Sequence, residues 1–355
     1  LAAVAEGFTL KDGSAYNVQF VGTKPVFIDV GSFERLRPGA VWAGYRQFCE
    51  QFLYPLMLRA YRGLPHAPWL RGRLDGIPAS DAARLLGLSR ALKPGVFSHI
   101  LLQSRLQSRH AADSRDLRGE LAAAGADAGV LTASLKGLRG LVAGLSWDPP
   151  ASAWSDYGLG DQYGPADLKA KEAFVRDAAS KPRRVAWDLG ANRGDYSRLL
   201  AEHAETVLAL DADASAHENL YRSLSRAGAG RVLPLHYDLA DPSPACGWRG
   251  AERRRLEDRA KPDFVLALAV LHHLRLGAGV PTSELADWLA GAESVVEFVA
   301  KEDAAAQRLL ARKDDRYTDW TRAAFEAAFA PRFTVVRCAE LAGGRRVLYH
   351  LRPRA

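Results

Sequence analysis

Val185-Ala186-Trp187-Asp188-Leu189-Gly190-Ala191-Asn192-Arg193-Gly194-Asp195 is the stretch on which the reading of this chain turns. An apolar run ends in a carboxylate, enters a turn held by two glycines, and gives way at once to a helical pattern. Gly190 and Gly194 permit a sharp turn and let a ligand approach with no Cβ in the way. Their spacing is GxxxG, distinct from the GxGxxG of dinucleotide folds and the GxxxxGK[ST] of phosphate loops. No lysine follows Gly194, and Asp188 and Asp195 would repel a phosphate. Such a strand end suits a ligand with a cationic centre and no phosphates.

Outward from this turn the pattern alternates. Strands are expected at Val185–Leu189, Thr206–Leu210, Val232–Tyr237, Phe264–Ala269 and Val295–Val299. Between and after them, helices are expected at Asp195–Ala204 and Ala214–Ala227, and near 251–259, 283–290, 303–312 and 321–329. Two final strands, Phe333–Cys338 and Arg346–Leu351, close the pattern. Strands alternating with helices predict an α/β fold, a Rossmann-like, doubly wound and mostly parallel sheet, with an antiparallel C-terminal strand. Two further strands end in acids. Asp211 lies 23 residues after Asp188, where a carboxylate can accept both hydroxyls of a ribose. Asp238, followed by Leu239, can accept an adenine amino group. Taken singly, Asp188 and Asp211 read equally as helix N-caps and the glycines as plain turns. Three acidic strand ends around one glycine turn point to S-adenosylmethionine.

At these residues the sequence resembles the class I S-adenosylmethionine-dependent methyltransferase family, over about residues 160–355. WDLGANRGDYS (187–197) resembles its first motif, LALDAD (208–213) its second, HYDLADP (236–242) its third and ALAVLHHL (267–274) its fourth. The resemblance implies that Asp188 and Gly190 lie by the methionine part of the cofactor. It places Asp211 by the ribose, Asp238 and Leu239 by the adenine, and Ala269 and Val270 on the pocket floor, counts Asn192, Gly194 and Ala212 as cofactor-binding too, and gives S-adenosylhomocysteine as product. The whole chain also resembles a bacterial group of methyltransferases or host-specific nodulation-type proteins. That likeness runs through NVQFVGTKPVFID (17–29), YRQFCEQFLYPL (45–56), DPSPACGW (241–248) and VVEFVAKED (295–303).

Methyl transfer is an in-line displacement, so positioning and desolvation supply much of its rate. A base is needed only when the acceptor must lose a proton. His272 and His273 follow the fourth strand, where the acceptor should meet the methyl group, and a neutral imidazole there could take a proton or orient a nucleophile. The alternative is a turn cap. Glu297 interrupts the apolar run Val295-Val296-Glu297-Phe298, and a carboxylate there is costly to bury unless paired. It reads as a binder of a cationic substrate group, or as the ion-pair partner of Lys301. No [DN]PP[YF] follows the fourth strand, and no cysteine stands where a covalent base methyltransferase needs one. Small-molecule acceptors therefore lead. Trp154, Tyr157 and Tyr163 read as a lid over the cofactor, or as packing.

Residues 1–150 are expected to form an N-terminal, mainly helical cap or accessory domain with a small β-hairpin, and residues 151–355 the cofactor-binding domain. Strands are expected at Phe8–Leu10, Asn17–Val21 and Pro25–Val30, and helices over about Trp42–Tyr61, Ser80–Leu86 and Gly95–His110. Gly63–Pro78 reads as loop, residues 111–146 as a helix pair broken at Gly125 and Gly129, and Trp147–Tyr163 as linker. Asp12, Asn17 and, after the hairpin, Asp29 resemble the catalytic and magnesium-binding segments of kinase-like folds. No strand lysine or glycine-rich loop precedes them, so the segment reads as a degenerate relic.

Composition sets the outer bounds. The 355 residues are 48% hydrophobic and 25% charged, which excludes wholesale disorder and collagen-like classes. Cys49, Cys246 and Cys338 are odd in number, far apart and without CxxC. This argues against a disulfide scaffold or zinc site and for a cytoplasmic setting. No apolar run reaches the roughly 20 residues that span a bilayer. No signal peptide is seen, but the chain begins at Leu1, so its natural N-terminus is expected upstream. Residues 1–160 carry 18 basic and 13 acidic side chains, and residues 161–355 carry 30 and 28. The densest charge run, Arg249–Lys261, reads as a solvated helix face or an anion-binding flank. Nucleic acid is a disfavoured partner, since no basic stripe interleaved with aromatics appears. Four functions share this pattern. A small-molecule methyltransferase leads, followed by a cyclase or aminoalkyl transferase using the same cofactor, an RNA methyltransferase and a non-catalytic cofactor-binding protein.

Overall fold

The computed structural model describes residues 1–37, 42–105, 128–152, 163–311 and 313–354. They fall into two compact units. The first holds Leu1–Gln19, Pro25–Asp148 and Pro244–Arg253; the second holds Phe20–Lys24, Pro149–Ser243 and Arg254–Ala355.

In the first unit, β1 (Phe8–Leu10) pairs antiparallel with a later strand, Phe33–Arg35. Between them, β2 (Val18–Val21) and β3 (Lys24–Phe27) make a hairpin whose tip belongs to the second unit, and Phe33–Arg35 is β4. A helical stretch runs without a break through Tyr45–Phe48, Cys49–Leu53 and Tyr54–Arg62, and Gly63 stops it in the left-handed conformation that lacks a Cβ penalty. Its inner face joins Ala79–Leu86 and Ala128–Ala143 in a core that includes Leu53, Met57, Ile77, Ile100 and Leu138. The stretch read as loop contains a helix, Ala67–Gly72. Its proline sits in the first turn, where the missing N–H has no helical partner to lose. Gly129 lies inside Ala128–Ala143 rather than at a break; Gly125 and residues 111–127 lie outside the described residues.

The second unit carries a seven-stranded sheet among its described residues. In chain order the strands are β5 (Arg183–Leu189), β6 (Ala204–Asp211), β7 (Val232–His236), β8 (Phe264–Ala267), β9 (Glu293–Val299), β10 (Phe333–Leu341) and β11 (Arg346–Pro353). Their spatial order is β10-β11-β9-β8-β5-β6-β7. The pairs β5–β6, β5–β8, β6–β7 and β8–β9 are parallel, and β11 runs antiparallel to both β9 and β10. The reversed strand thus lies one in from the edge. Chain order turns about between β5 and β8, and in such sheets the crevice for ligands opens beyond the carboxyl ends at that switch point.

Side-chain alternation along these strands divides the core in two. Val185, Trp187 and Leu189 of β5 and Val296 and Phe298 of β9 face one layer, with Trp320, Phe325 and Phe329. Ala186 of β5, Val295 of β9 and Leu348 of β11 face the other, with Phe174 and Val175 of the helix Pro165–Ala178. With a period of two, Asp188, Glu297 and Arg346 fall on this second face. The Arg249–Lys261 run is not a continuous helix. Gly247 and Arg249 take positive φ, and only Leu256–Arg259 is α-helical. No described helix is long and apolar enough to cross a membrane.

Gly194 has φ +74, and a Cβ there would lie 2.4 Å from Leu220 in the core; Gly228, with φ +65, has open space around it. Gly194→Ala should therefore cost about 1–3 kcal/mol through backbone strain and overpacking together. Gly228→Ala should cost less, and urea denaturation of the two variants compares them directly.

Candidate active site

A cavity of about 430 Å³ opens at the carboxyl ends of β5, β6 and β8. Asp188, Gly190, Asn192, Asp211, Ala212, Asp238, Leu239, Ala269, Val270, His272 and His273 all line it. The four motifs read from the sequence are thus gathered around one space, although they are spread over some 85 residues of chain.

Each strand end has its own local cause. Gly190 (φ +72) and Asn192 (φ +46) take the left-handed turn after β5, and asparagine tolerates that conformation better than most residues. A Cβ at Gly190 would stand 3.4 Å from Val270. Gly194 does not line the cavity; its bare Cα lets the helix Asp195–Leu200 pack on Leu220. Asp188, 3% exposed, accepts a hydrogen bond from Ser197 Oγ at 2.6 Å. Burial, reinforced by Asp211 and Asp195 against the opposing pull of Ser197 and Lys171, raises its carboxyl to about 6. Asp211 accepts from the backbone N–H of Asn192 at 2.7 Å on one oxygen and of Asp213 at 2.8 Å on the other. Each oxygen keeps a second lone pair. Burial raises this carboxyl too, with the two backbone donors opposing. Asp213, not Asp211, caps the helix Ala214–Ala227, accepting from the N–H groups of Ser215 and Ala216. Asp238 is exposed and accepts from Ala240 N at 2.8 Å.

On the other side of the cavity, Ala269 takes φ +50, an unfavourable conformation for alanine, as the chain leaves β8. His272 and His273 follow, their ring centroids 4.1 Å apart. His272 is 1% exposed, and neither ring nitrogen has a hydrogen-bond partner among the described residues. Burial, then the charge of His273 and of Arg346 and Lys171, holds it well below the usual histidine range. His273 is pushed down to about 4, again by burial first and then by Arg308 and Arg346. Both rings are therefore neutral at pH 7.

Glu297 stands elsewhere, and its expected partner is wrong. Lys301 pairs with Asp315 instead, at 2.8 Å. Glu297 is fully buried and does not line the cavity. Its Oε2 accepts from Lys171 Nζ at 2.8 Å and its Oε1 from Tyr163 Oη at 2.5 Å. Tyr163 Oη accepts in turn from Lys171 Nζ at 2.8 Å and Arg346 Nη1 at 2.6 Å. Arg346 closes the set with a two-pronged bond to Asp303, at 2.7 and 2.8 Å. Burial opposes ionisation of Glu297, but Lys171 and Arg346 together hold its carboxyl below the usual range. Glu297 is conspicuous in the sequence as a carboxylate in an apolar run, whereas Lys171, Arg346 and Asp303 are scattered over more than 170 residues with no local pattern to link them. Tyr163 lines the cavity and belongs to this network; Trp154 and Tyr157 lie outside the described residues. In the first unit, Asn17 Nδ2 donates to Ser32 Oγ at 3.2 Å, and Ser32 donates to Asp29; Asp12 accepts from Ser14 N. Among the described residues, no group of three or more His, Cys, Asp or Glu could hold a metal ion.

No family model matches the chain. It is 36% identical over 351 residues, 97% of its own length and 73% of the relative's, to the nodulation protein NoeA of Rhizobium meliloti strain 1021. Among solved structures it is similar to the N-methyltransferase NodS from Bradyrhizobium japonicum WM9, with 13% identity and a TM-score of 0.39, over 54% of this chain and 98% of that one. It is also similar to magnesium protoporphyrin IX methyltransferase (ChlM) from Synechocystis PCC 6803, with 18% identity and a TM-score of 0.36, over 55% and 84%.

Lys171→Met leaves Glu297 charged, buried and short of a partner, and should destabilise the second unit by about 3–5 kcal/mol. Adding Glu297→Gln removes the stranded charge, so the double variant should recover a large part of that loss. Urea denaturation of both variants and the parent measures the coupling.

Proposed function

For this chain, which belongs to the NoeA family of nodulation proteins, we propose S-adenosylmethionine-dependent methyl transfer to a small-molecule acceptor. The observation that carries this reading is the division of the cavity. Its lining carboxylates, Asp188, Asp195, Asp211, Asp213 and Asp238, follow β5, β6 and β7, whereas the stretch after β8 contributes apolar residues and the two neutral imidazoles. The acidic side fits a nucleoside with a positively charged amino-acid end and no phosphates. Asp211 has a lone pair to spare on each oxygen for a ribose diol, Asp188 can pair with a cationic centre, and Gly190 leaves room between them. Bound there, S-adenosylmethionine would supply an electrophilic methyl group on a sulfonium.

The chain's own residues then have distinct tasks. Asp188, Asp211 and Asp238 bind and orient; Ala269 and Val270 exclude water from the floor; His272 and His273 face the acceptor. A neutral imidazole accepts a proton or a hydrogen bond but offers no charge to hold a carboxylate or phosphate. Among the described residues no acid lines this side to hold an ammonium, which favours an acceptor presented as an uncharged nucleophile. His272, whose two nitrogens lack hydrogen-bond partners among the described residues, is suited to orienting such a group. The half-buried His273 is suited to receiving its proton. A cavity of this volume lies in the small-molecule range.

Calorimetry with S-adenosylhomocysteine tests the cofactor half of the proposal. Asp211→Ala should weaken binding more than about tenfold, since charge-assisted hydrogen bonds are worth about 1.5–3 kcal/mol. Asp211→Asn, which preserves more of the turn, should fall between the two. Unchanged affinity in folded variants overturns the ribose assignment.

The same binding should depend on pH with a definite sign. Without ligand, Asp188 is protonated below about 6 and ionised above it. A ligand carrying a positive charge selects the ionised form, so affinity should be full above this point and fall as the pH drops through it, by about tenfold per unit. The raised carboxyl of Asp211 acts in the same direction. A flat profile between pH 5 and 8 contradicts the role given to Asp188.

A further inference from the structure

From Gly87 to Leu102 the first unit turns large apolar side chains outward. Leu92 is fully exposed, Leu88 is 80% and Phe97 60% exposed, and Leu102 is exposed as well. Val96 and Ile100, in the same helical stretch as Phe97, are fully buried. The segment is thus apolar on both faces, which suits an element with protein on one side and hydrocarbon on the other. Leu88 and Leu101 also line a groove of about 660 Å³ together with Arg84, so charge and apolar surface adjoin. The outward side chains stand on a fixed frame. Tyr61 Oη donates to the carbonyl of Pro94 at 2.9 Å, and Arg90 Nε donates to the carbonyl of Tyr61 at 3.3 Å. Arg62 donates to the carbonyl of Leu86 from both Nε and Nη2. Gly95 (φ +78) lies so close to the helix Ala128–Ala143 that a Cβ would stand 2.5 Å from Leu141. The backbone of the turn is held from behind, and Leu92 adds nothing to the core where it stands.

Charge identifies the partner. Residues 82–105 and 128–147 contain six Lys or Arg and no Asp or Glu. Asp81, just before them, lies 3.8 Å from Arg84, which is itself well exposed. Lys93 follows Leu92 at the tip, and Lys136 and Arg139 are exposed on the helix that Gly95 meets. Three of the four outward side chains are leucines, which suit hydrocarbon better than the stacking that single-stranded nucleic acid requires. We propose that this part of the first unit attaches to the surface of a bilayer containing anionic lipid. Leu88, Leu92 and Phe97 enter the boundary between headgroups and acyl chains, and the cations meet the lipid phosphates. The long stems of Lys and Arg lie along the apolar surface while their charged ends stay at headgroup level. The attachment is peripheral, since no described helix is long and apolar enough to cross a membrane.

Sedimentation of the full chain with lipid vesicles tests this. The parent protein should bind vesicles of phosphatidylcholine mixed with phosphatidylglycerol, and bind phosphatidylcholine alone much more weakly. Salt at about 1 M, where screening acts within ~3 Å, should reduce the difference. Leu92→Asp puts a charge at the tip without disturbing a packed residue. Its thermal melting should match the parent's, while its partitioning to the mixed vesicles should fall at least about tenfold. Lys136→Glu/Arg139→Glu should weaken binding to the mixed vesicles and leave the weak binding to neutral ones as it was. Equal binding of the parent to both kinds of vesicle, or to neither, overturns the proposal. Full vesicle binding by folded Leu92→Asp overturns it too. So does binding to tRNA or polyglutamate that is tighter than binding to vesicles and untouched by Leu92→Asp, which assigns the surface to another kind of partner.

Discussion

Three ionisable side chains, Asp188, Glu297 and Arg346, are built into β5, β9 and β11 at positions whose alternation turns them toward one buried layer. That placement constrains much of the second unit. A carboxylate or guanidinium in such a layer is tolerated only when it is paired and hydrogen-bonded. Lys171 must therefore arrive from the helix Pro165–Ala178, Tyr163 from the segment before it, and Asp303 from the turn after β9. Each contribution fixes an element. The helix is tied to β9 through Lys171, and the segment leading into it to β9 and β11 through one phenol oxygen. Ser197 performs the same service for Asp188 from the helix Asp195–Leu200.

Polar order of this kind stabilises less than an equal volume of hydrocarbon, but it discriminates among arrangements. A sheet shifted by one residue would turn Glu297 toward Trp320 and Phe325 and leave Lys171 without its carboxylate. The cavity inherits that discrimination, because two members of the network also form part of its wall. Side chains that settle the register of the strands are thus within reach of a bound molecule.

Much of this was legible in the sequence where chemistry and local pattern coincide. The alternation of strand and helix carries the class of the sheet, and three acids at strand ends, with the glycine turn, stand on one side of the cavity. Ala214–Ala227 matches its expected span because Asp213 and Gly228 bound it with ordinary cap chemistry. Other features were hidden for physical reasons. The helix Ala67–Gly72 sits in a stretch whose Pro and Gly read as loop, although proline is compatible with a first turn. Glu297 stands out in the sequence as a carboxylate in an apolar run, but its partner Lys171 lies 126 residues away in chain order. Spacing along a helix suggested Lys301, whereas the strand turned the carboxylate inward. Lys171 is one lysine in a helix of mixed polarity; only the layer above which it lies distinguishes it from its neighbours.

The reversed strand β11 has a further consequence, one of timing. A chain made from its N-terminus produces Tyr163, Lys171, Glu297 and Asp303 well before Arg346, which lies 183 residues beyond Tyr163. Until β11 inserts between β9 and β10, β9 has an open edge and Asp303 lacks its guanidinium. Long-range pairing of this sort is slow, and unpaired edges are where nascent chains go astray. On the ribosome, the wall of the cavity is therefore among the last parts of the second unit to be finished. A chain interrupted shortly before Arg346 would carry every motif around the cavity and still lack the strand that locks them in place.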